Sequence, residues 1–287
     1  MSSSLTLAEL AKQFKGIDKG FDIKKIVLED SNVRDIESLE PFTSLEYISF
    51  RCNNLDSIEF LINNYYLRHI NLSNNKLNLL DVRITQLSKL EYINLANNNL
   101  DDISPLNDCT NLKVIVANNN KITKFPRISK LESLEILILS DNLIESVGLP
   151  SAHNKKLAKV SLSRNKIREF PLTKFWPSLK ELRLNGNKII TLPSKDQLDV
   201  MSSIRTLDLG NNSIYDKSYA LNLKAFVNLR DLNLLGNPVS DKITIEELEL
   251  ERLIIYNSRK IAKRDAGNND RKTAKTRKKQ YSLQNTK

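Results

Sequence analysis

The sequence contains few of the residues on which metal sites, disulfides and most catalytic centres depend. Its 287 residues include two cysteines, two histidines and seven glycines. The cysteines and histidines stand in four separate places, at Cys52, His69, Cys109 and His153. This spacing fits neither a zinc site nor a nucleophile with its base, and Gly210 and Gly236 belong to no phosphate-binding loop. We therefore predict no enzyme, no metal and no cofactor.

Long apolar runs are also missing. The N-terminus has no hydrophobic segment of the kind that forms a signal peptide, and no stretch is long enough to cross a bilayer. The two cysteines are far apart in the chain and are expected to be reduced thiols. These features predict an intracellular protein with no membrane partner.

A repeat fills most of the chain instead. The spacing L-x-x-L-x-L-x-x-N-x-L recurs ten times with steps of 22 to 25 residues. The ten frames start at Ile23, Leu45, Leu67, Leu90, Leu112, Leu134, Leu157, Leu179, Ile204 and Leu229. We number the positions of each repeat from these residues. Self-similarity at this period predicts a solenoid of stacked repeats.

Each position of the repeat has a physical interpretation. Positions 4 and 6, such as Ile93 and Leu95, alternate as a short strand with both side chains inward, so stacking builds a parallel sheet. Position 9 is asparagine in every repeat except the first, which has Ser31. An amide there can satisfy backbone groups at a bend. The asparagine-rich runs are alternatively a low-complexity segment, but their fixed phase with the leucines favours the structural ladder.

This pattern resembles the leucine-rich-repeat family over residues 23 to about 261. The short period is similar to that of its intracellular subclass, which includes the nuclear regulatory subunit of protein phosphatase type 1 and the spliceosomal A-prime protein. The resemblance implies an α/β solenoid, a leucine-rich-repeat horseshoe with a parallel concave sheet. The convex side is expected to hold short turns and 3₁₀ or helical segments, with helices near residues 194–201 and 217–226.

The two ends of a solenoid need caps. We predict an N-terminal helical cap over 1–22, where Thr6 and Glu9 form a capping box, and ten repeats over 23–239. For 240–262 we predict a cap repeat whose frame starts at Leu250, with one amphipathic helix as the alternative. Residues 263–287 are predicted to be a disordered basic tail.

Charge is concentrated at the C-terminus. The formal net charge is +10, and residues 259–287 contain eleven Lys or Arg against two Asp, which leaves the repeats nearly neutral. Two basic clusters there have the form of a bipartite nuclear-import signal, and they consist of Lys263, Arg264, Lys275, Arg277, Lys278 and Lys279. The alternatives are a solvated terminus without a receptor and RNA-backbone binding by the tail.

The repeat frame also predicts which side chains project from the concave face, at positions 3, 5, 7 and 8. Aromatic and β-branched residues gather there in repeats 2 to 6, which is typical of a contact surface. The predicted partner-binding residues are Tyr47, His69, Tyr92, Val114, Val116, Ile136, Ile138 and Arg183. The alternative is that valine and isoleucine occur there for β-propensity alone. Farther along the array, basic residues are expected to face acidic ones, either as internal pairs or as a polar rim. The basic residues are Lys159, Arg164 and Arg183, and the acidic residues are Glu181, Asp208 and Asp231.

Together these features predict a non-enzymatic nuclear scaffold that binds a protein partner on its concave face. By resemblance, the partner is a phosphatase catalytic subunit or a ribonucleoprotein component, and the basic clusters add an import receptor. The alternative function is an RNA-associated factor in ribosome or spliceosome assembly that uses the tail. The expected location is the nucleus, including the nucleolus, with the cytoplasm as the alternative.

Overall fold

A computed structural model describes residues 3–5, 23–61, 63–148, 154–172, 176–199 and 201–261. Its fourteen short strands follow in chain order: β1 Ser3–Leu5, β2 Lys25–Val27, β3 Val33–Ile36, β4 Tyr47–Ser49, β5 His69–Asn71, β6 Tyr92–Asn94, β7 Val114–Val116, β8 Ile136–Ile138, β9 Lys159–Ser161, β10 Glu181–Arg183, β11 Thr206–Asp208, β12 Asp231–Asn233, β13 Ile255–Tyr256 and β14 Arg259–Lys260. Most strands are three residues long, and each repeat contributes one of them to the concave sheet.

The strands form one long sheet and one small one. The long sheet has twelve strands in the order β14, β13, β12, β11, β10, β9, β8, β7, β6, β5, β4, β2, and β1 pairs with β3 separately. From β2 to β13 every pairing is parallel and joins neighbouring turns of the chain. This topology is that of a solenoid whose concave face is a parallel sheet.

The register of the sheet matches the repeat frame residue for residue. In every one of the ten repeats the strand begins at position 3, as at Tyr92 in the repeat that starts at Leu90. Position 4 residues such as Ile93 are fully buried, and so are position 1, 6 and 11 residues such as Leu90, Leu95 and Leu100. These positions form one continuous core through the stack. The predicted strands and inward leucines are confirmed.

The position 9 asparagines form the expected ladder. Asn98 donates from Nδ2 to the carbonyl oxygens of Leu72 and Leu95, both at 3.0 Å, and its Oδ1 accepts from the Leu77 N–H at 3.0 Å. The buried amide therefore ties its own bend to the repeat before it. The same contacts recur at Asn53, Asn75, Asn120, Asn142, Asn165, Asn187, Asn212 and Asn237.

Position 8 adopts the left-handed conformation in all ten repeats. The φ angles lie between 52° and 76°, and the residues are Asp30, Cys52, Asn74, Asn97, Asn119, Asp141, Arg164, Gly186, Asn211 and Gly236. Eight of the ten are Asn, Asp or Gly, the residues for which this conformation costs least. The left-handed bend at position 8 thus explains why asparagine is frequent there, immediately before the buried asparagine of position 9.

The convex side carries short helical segments. Within the described residues, three are α-helical, α1 Lys195–Asp199, α2 Lys217–Leu221 and α3 Ile245–Leu248, and four are 3₁₀ segments at Glu59–Leu61, Val82–Gln86, Ser104–Asp108 and Asn222–Ala225. Both helices predicted from the longer repeats, near 194–201 and 217–226, are present as α1 and as α2 with the 3₁₀ segment that follows it. These three α-helices lie where the repeats lengthen to 25 residues or at the end of the solenoid.

At the N-terminal end, residues Ser3–Leu5 form a strand rather than a helix. Strand β1 runs parallel to β3, which follows the concave strand β2 in the first repeat, and the two form a small sheet of their own. The helix predicted from Thr6 onward lies outside the described residues.

At the C-terminal end, one detail of the sequence prediction was wrong. Ile255 pairs with Asp231, which is a position 3 residue, so the eleventh turn is framed from Leu253 and not from Leu250. In the sequence the Leu250 frame fits better, because it places Leu253 and Ile255 at positions 4 and 6. The strand register instead selects Leu253, whose frame has Tyr256 at position 4 and Ser258 at position 6. Helix α3 begins with a capping box formed by Thr244 and Glu247. Because β13 follows this helix, the segment is not one amphipathic helix.

Candidate functional site

Three aromatic rings stack on the concave face. Tyr47, His69 and Tyr92 occupy position 3 of repeats 2, 3 and 4, which the sheet register places side by side. The Tyr47 and His69 ring centroids are 4.4 Å apart with planes at 13°, and those of His69 and Tyr92 are 4.0 Å apart at 2°. Parallel strands are spaced about 4.8 Å apart, so identical positions bring flat rings close to stacking distance. The Lys25 Nζ lies 4.7 Å from the Tyr47 ring centroid and caps the stack.

Aliphatic side chains extend the stack toward the middle of the solenoid. Val114 and Ile136 continue position 3 on β7 and β8, and Val116 and Ile138 occupy position 5 beside them. All four are half-buried, as are the three stacked rings. We call the seven residues on β4 to β8 the concave patch: Tyr47, His69, Tyr92, Val114, Val116, Ile136 and Ile138. The structure therefore brings together seven of the eight residues predicted from the sequence.

Arg183 lies outside this patch. It is two strands beyond Ile138, and its Nε donates to Glu181 Oε1 at 2.6 Å, while the Lys159 Nζ approaches the same oxygen at 3.1 Å. Burial favours the neutral form of Glu181, but the hydrogen bonds from Arg183 and Lys159 outweigh this effect and lower the pKa of its carboxyl group. The charge of Arg183 is thus paired within the chain, by Glu181.

The remaining charges of this region separate into two groups. Arg164 was expected to face Glu181 and the aspartates beyond it, but it pairs with Asp141, with 2.6 Å between Arg164 Nη2 and Asp141 Oδ2. Asp231 has no such partner among the described residues. Burial, and then the nearby Asp208 carboxylate, raise the pKa of Asp231. The C-terminal part of the concave face is consequently acidic and polar where the patch is apolar.

His69 differs from the other two rings because the ordinary pKa of an imidazole lies near neutral pH. Partial burial disfavours its charged form, and the positive charge of Lys25 acts in the same direction, so both lower its pKa. Its neutral imidazole is therefore the form that stacks between the tyrosines. The sequence placed His69 on the concave strand, and the in-register pairing of β4, β5 and β6 explains the stack.

The described residues contain neither a cluster of metal ligands nor a cysteine with a lowered pKa. Among the residues that the structure describes, no group of three His, Cys, Asp or Glu side chains is arranged to hold a metal ion. Burial, reinforced by the Asp108 carboxylate, raises the pKa of the Cys109 thiol to about 12, far from that of a nucleophilic cysteine. His153 lies outside the described residues.

A second set of buried polar groups, away from the concave strands, was not predicted from the sequence. Asn64, Cys109 and Asn154 stand three residues before position 1, and each donates to a carbonyl of the preceding repeat, at 2.8 Å, 3.4 Å and 2.8 Å. The signal was weak because the same position holds leucine, methionine, tryptophan or phenylalanine in later and intervening repeats. These residues stabilise the stack and do not form a site.

The predicted import residues Lys263, Arg264, Lys275, Arg277, Lys278 and Lys279 lie outside the described residues, so they stay a prediction from the sequence. In the part of the chain that the structure covers, no helix has the length and apolar character needed to span a membrane.

Comparisons with known proteins agree with this geometry. A family model for leucine-rich repeats in two copies matches residues 88–132 and 110–151. The structure of an internalin, InlF from Listeria monocytogenes, superimposes with a TM-score of 0.70 at 24% identity and covers 83% of this chain and 67% of its own. The chain folds as a leucine-rich-repeat solenoid.

Two further matches belong to receptors. Toll-like receptor 2 of Ovis aries is 38% identical over 82 residues, which are 29% of this chain and only 10% of the receptor. The plant peptide hormone receptor RGFR1, in complex with RGF2, superimposes with a TM-score of 0.63 at 20% identity over 80% of this chain and 41% of its own. The family model and the receptor sequence thus match part of the repeat array, and the solved structures match its fold.

Proposed function

We propose that this leucine-rich-repeat solenoid is a non-enzymatic scaffold that binds a protein partner through the concave patch. The observation that carries the proposal is the unbroken row of Tyr47, His69 and Tyr92 rings continued by Val114 and Ile136 across five adjacent strands. A purely structural repeat has no need of aromatic residues at an outward position, where polar side chains serve as well.

The stack also reduces the cost of binding. Side chains that are free before association lose rotamer freedom when a partner covers them, at about 0.5–1.5 kcal/mol for each long side chain. Here the rings already hold one another in place, with centroids 4.0–4.4 Å apart. Aromatic anchors at the centre of a surface are the usual source of binding energy. The fitting partner presents apolar or aromatic side chains along one extended segment or helix face.

We further propose that the protein is nuclear and belongs to the intracellular 22-residue-repeat subclass. The two basic clusters in 263–279 support import, and the resemblance supports a phosphatase catalytic subunit or a ribonucleoprotein component as the partner. The tail supports the alternative function, RNA association in ribosome or spliceosome assembly.

The test removes the patch without disturbing the core. We expect Tyr92→Ala combined with Ile136→Ala to abolish co-purification of the main protein partner, measured by affinity capture and mass spectrometry before and after nuclease treatment. Circular dichroism and the thermal midpoint should change little, because both side chains point outward.

The matched control is Thr206→Ala combined with Asp231→Ala, two position 3 residues on strands outside the patch. This control should retain the partner. If the partner persists in the Tyr92/Ile136 variant but disappears when residues 259–287 are deleted, the tail is the binding element and the proposal is wrong.

A further inference from the structure

One column of side chains changes its charge pattern along the solenoid. Position 2 precedes each strand and lies at the edge of the concave sheet. In the first six repeats its residues alternate in sign: Lys24, Glu46, Arg68, Glu91, Lys113 and Glu135. The alternation produces ion pairs between neighbouring repeats, with N–O distances of 3.0 Å for Lys24–Glu46, 2.7 Å for Arg68–Glu91 and 2.6 Å for Lys113–Glu91.

The later repeats break this pattern. After Ala158, position 2 is Lys180, Arg205 and Arg230, which we call the basic edge. The three residues lie in adjacent repeats, because the Arg205 N–H donates to the Lys180 carbonyl and the Arg230 N–H donates to the Arg205 carbonyl, both at 2.8 Å. All three are exposed, and none has an ion pair or a side-chain hydrogen bond with a residue in the described part of the chain.

Three like charges at this spacing repel one another. The strands beside them are about 4.8 Å apart, and the first half of the same column shows that side chains one repeat apart reach each other easily. A row of cations with a regular spacing fits a ligand that carries a regular row of negative charges, rather than one small anion.

We propose that the basic edge binds the phosphate backbone of a nucleic acid. Beyond Arg230 the described part of the solenoid ends with two more exposed cations, Arg259 and Lys260. A row of cations that continues over several repeats matches a long polyanion better than a short acidic peptide. The position 2 column contains no aromatic residue on which bases could stack, so contact is with the backbone and is independent of base sequence.

The basic edge is separate from the concave patch. The patch lies on β4 to β8, whereas the basic edge flanks β10 to β12. A protein on the patch and a nucleic acid on the edge can therefore be bound at once, and the solenoid would link the two.

The test uses the full chain and a fluorescein-labelled single-stranded RNA of mixed sequence, about 20 nucleotides long, with fluorescence anisotropy over a salt series. The variant carries Lys180→Gln, Arg205→Gln and Arg230→Gln. We expect its affinity for RNA to fall at least about tenfold near physiological salt, and the slope of log K against log salt to decrease by about 2, since about 0.7 counterions are released per phosphate neutralised on a single strand.

The matched control carries Lys24→Gln, Arg68→Gln and Lys113→Gln. It removes the same number of cations from the same column, but from residues that already have acidic partners. Its RNA affinity should stay within about twofold of that of the unmodified chain. Circular dichroism of both variants should be unchanged because all six side chains are outside the core.

Three outcomes would overturn the proposal. If both variants lose RNA affinity equally, the effect is one of net charge alone. If the Lys180, Arg205 and Arg230 variant keeps its RNA affinity, any RNA binding belongs to the tail. Competition by polyglutamate as effective as that by unlabelled RNA of equal charge would identify an acidic protein as the ligand. A failure of the concave-patch proposal can be distinguished from a failure of this one, because the Tyr92→Ala, Ile136→Ala variant should bind RNA normally.

Discussion

Asparagine has two different roles at neighbouring positions of each repeat. At position 8 it is exposed or half-buried and tolerates the left-handed backbone of the bend, with φ near 57° at Asn74 and Asn97. At position 9 it is buried and its amide completes the hydrogen bonding of two repeats. The same residue type is selected once for backbone conformation and once for side-chain chemistry.

Asn142→Ala should therefore be costly although it removes only a small polar group. Asn142 Nδ2 donates to the Ala117 and Leu139 carbonyls at 2.9 Å and 3.1 Å, and its Oδ1 accepts from the Ile122 N–H at 3.0 Å. Alanine leaves these buried backbone groups unpaired, and we expect a loss of about 2–4 kcal/mol in urea unfolding. Asn119→Ala, at an exposed position 8 of the preceding repeat, is the control and should cost less. A smaller loss for Asn142→Ala would contradict the ladder.

His69 should make stability depend on pH. Its pKa is lowered in the folded protein, so its neutral form is favoured by folding. The sign follows from linkage: this contribution is fully present above the unfolded pKa near 6.5 and is lost as the pH falls through the lower folded pKa. Urea unfolding at pH 7.5 and pH 5.5, compared with the His69→Gln variant, measures it. The unmodified chain should lose more stability on acidification than the variant does, and the reverse order would contradict the stacked neutral imidazole.

At the scale of the repeat, the core is shared between neighbours. Leu137 occupies position 4 of the central strand β8 and is fully buried, with Ile115 and Val160 aligned on either side. Leu137→Ala should lower the free energy of unfolding by about 2–5 kcal/mol through a cavity that both neighbours line. Ile136→Ala, one residue away on the same strand but outward, is the control. A cost below about 1 kcal/mol for Leu137→Ala would be inconsistent with the repeat frame.

The sequence was informative where a residue's role depends on its place in the repeat. The strand starts, the inward leucines, the asparagine ladder and seven outward site residues all follow from a fixed period. It was uninformative where the period fails. The eleventh turn has leucines at two candidate frames, and only pairing with β12 selects Leu253.

Pairings between charged side chains were harder to predict than the repeats themselves. The sequence grouped Arg183 with the partner-binding residues because its column position faces outward, yet its charge is satisfied by Glu181 on the same strand. Likewise Arg164 contacts Asp141 of the preceding repeat. Both pairings depend on side-chain geometry, which the residue types at one position of the repeat do not specify.

At the scale of the whole molecule, the basic sequences and the apolar surface are separated. The concave patch occupies repeats 2 to 6, the basic edge begins at repeat 8, and the basic sequence 262–287 follows the last hairpin. Residues 259–287 contain eleven Lys or Arg against two Asp, so the formal charge of +10 comes almost entirely from this segment, whereas the repeats carry charges of both signs.

This separation allows the tail to be altered alone. Replacing Lys275, Arg277, Lys278 and Lys279 by alanine should move a fluorescent fusion from nucleus to cytoplasm, because the second basic cluster of the import signal is removed. The melting temperature should not change, since these residues follow the solenoid. Nuclear accumulation of the variant equal to that of the unmodified fusion would reject the import signal.

The asparagine ladder also bears on how such a chain can change length during evolution. Each position 9 amide bonds only to its own repeat and to the one before it, as Asn120 does with Ala117, Leu95 and Leu100. A duplicated or deleted unit of 22 residues therefore meets the same donors and acceptors at the new junction. Gene duplication can lengthen the array one unit at a time without a new core, and outward residues are then free to diverge in the added copy.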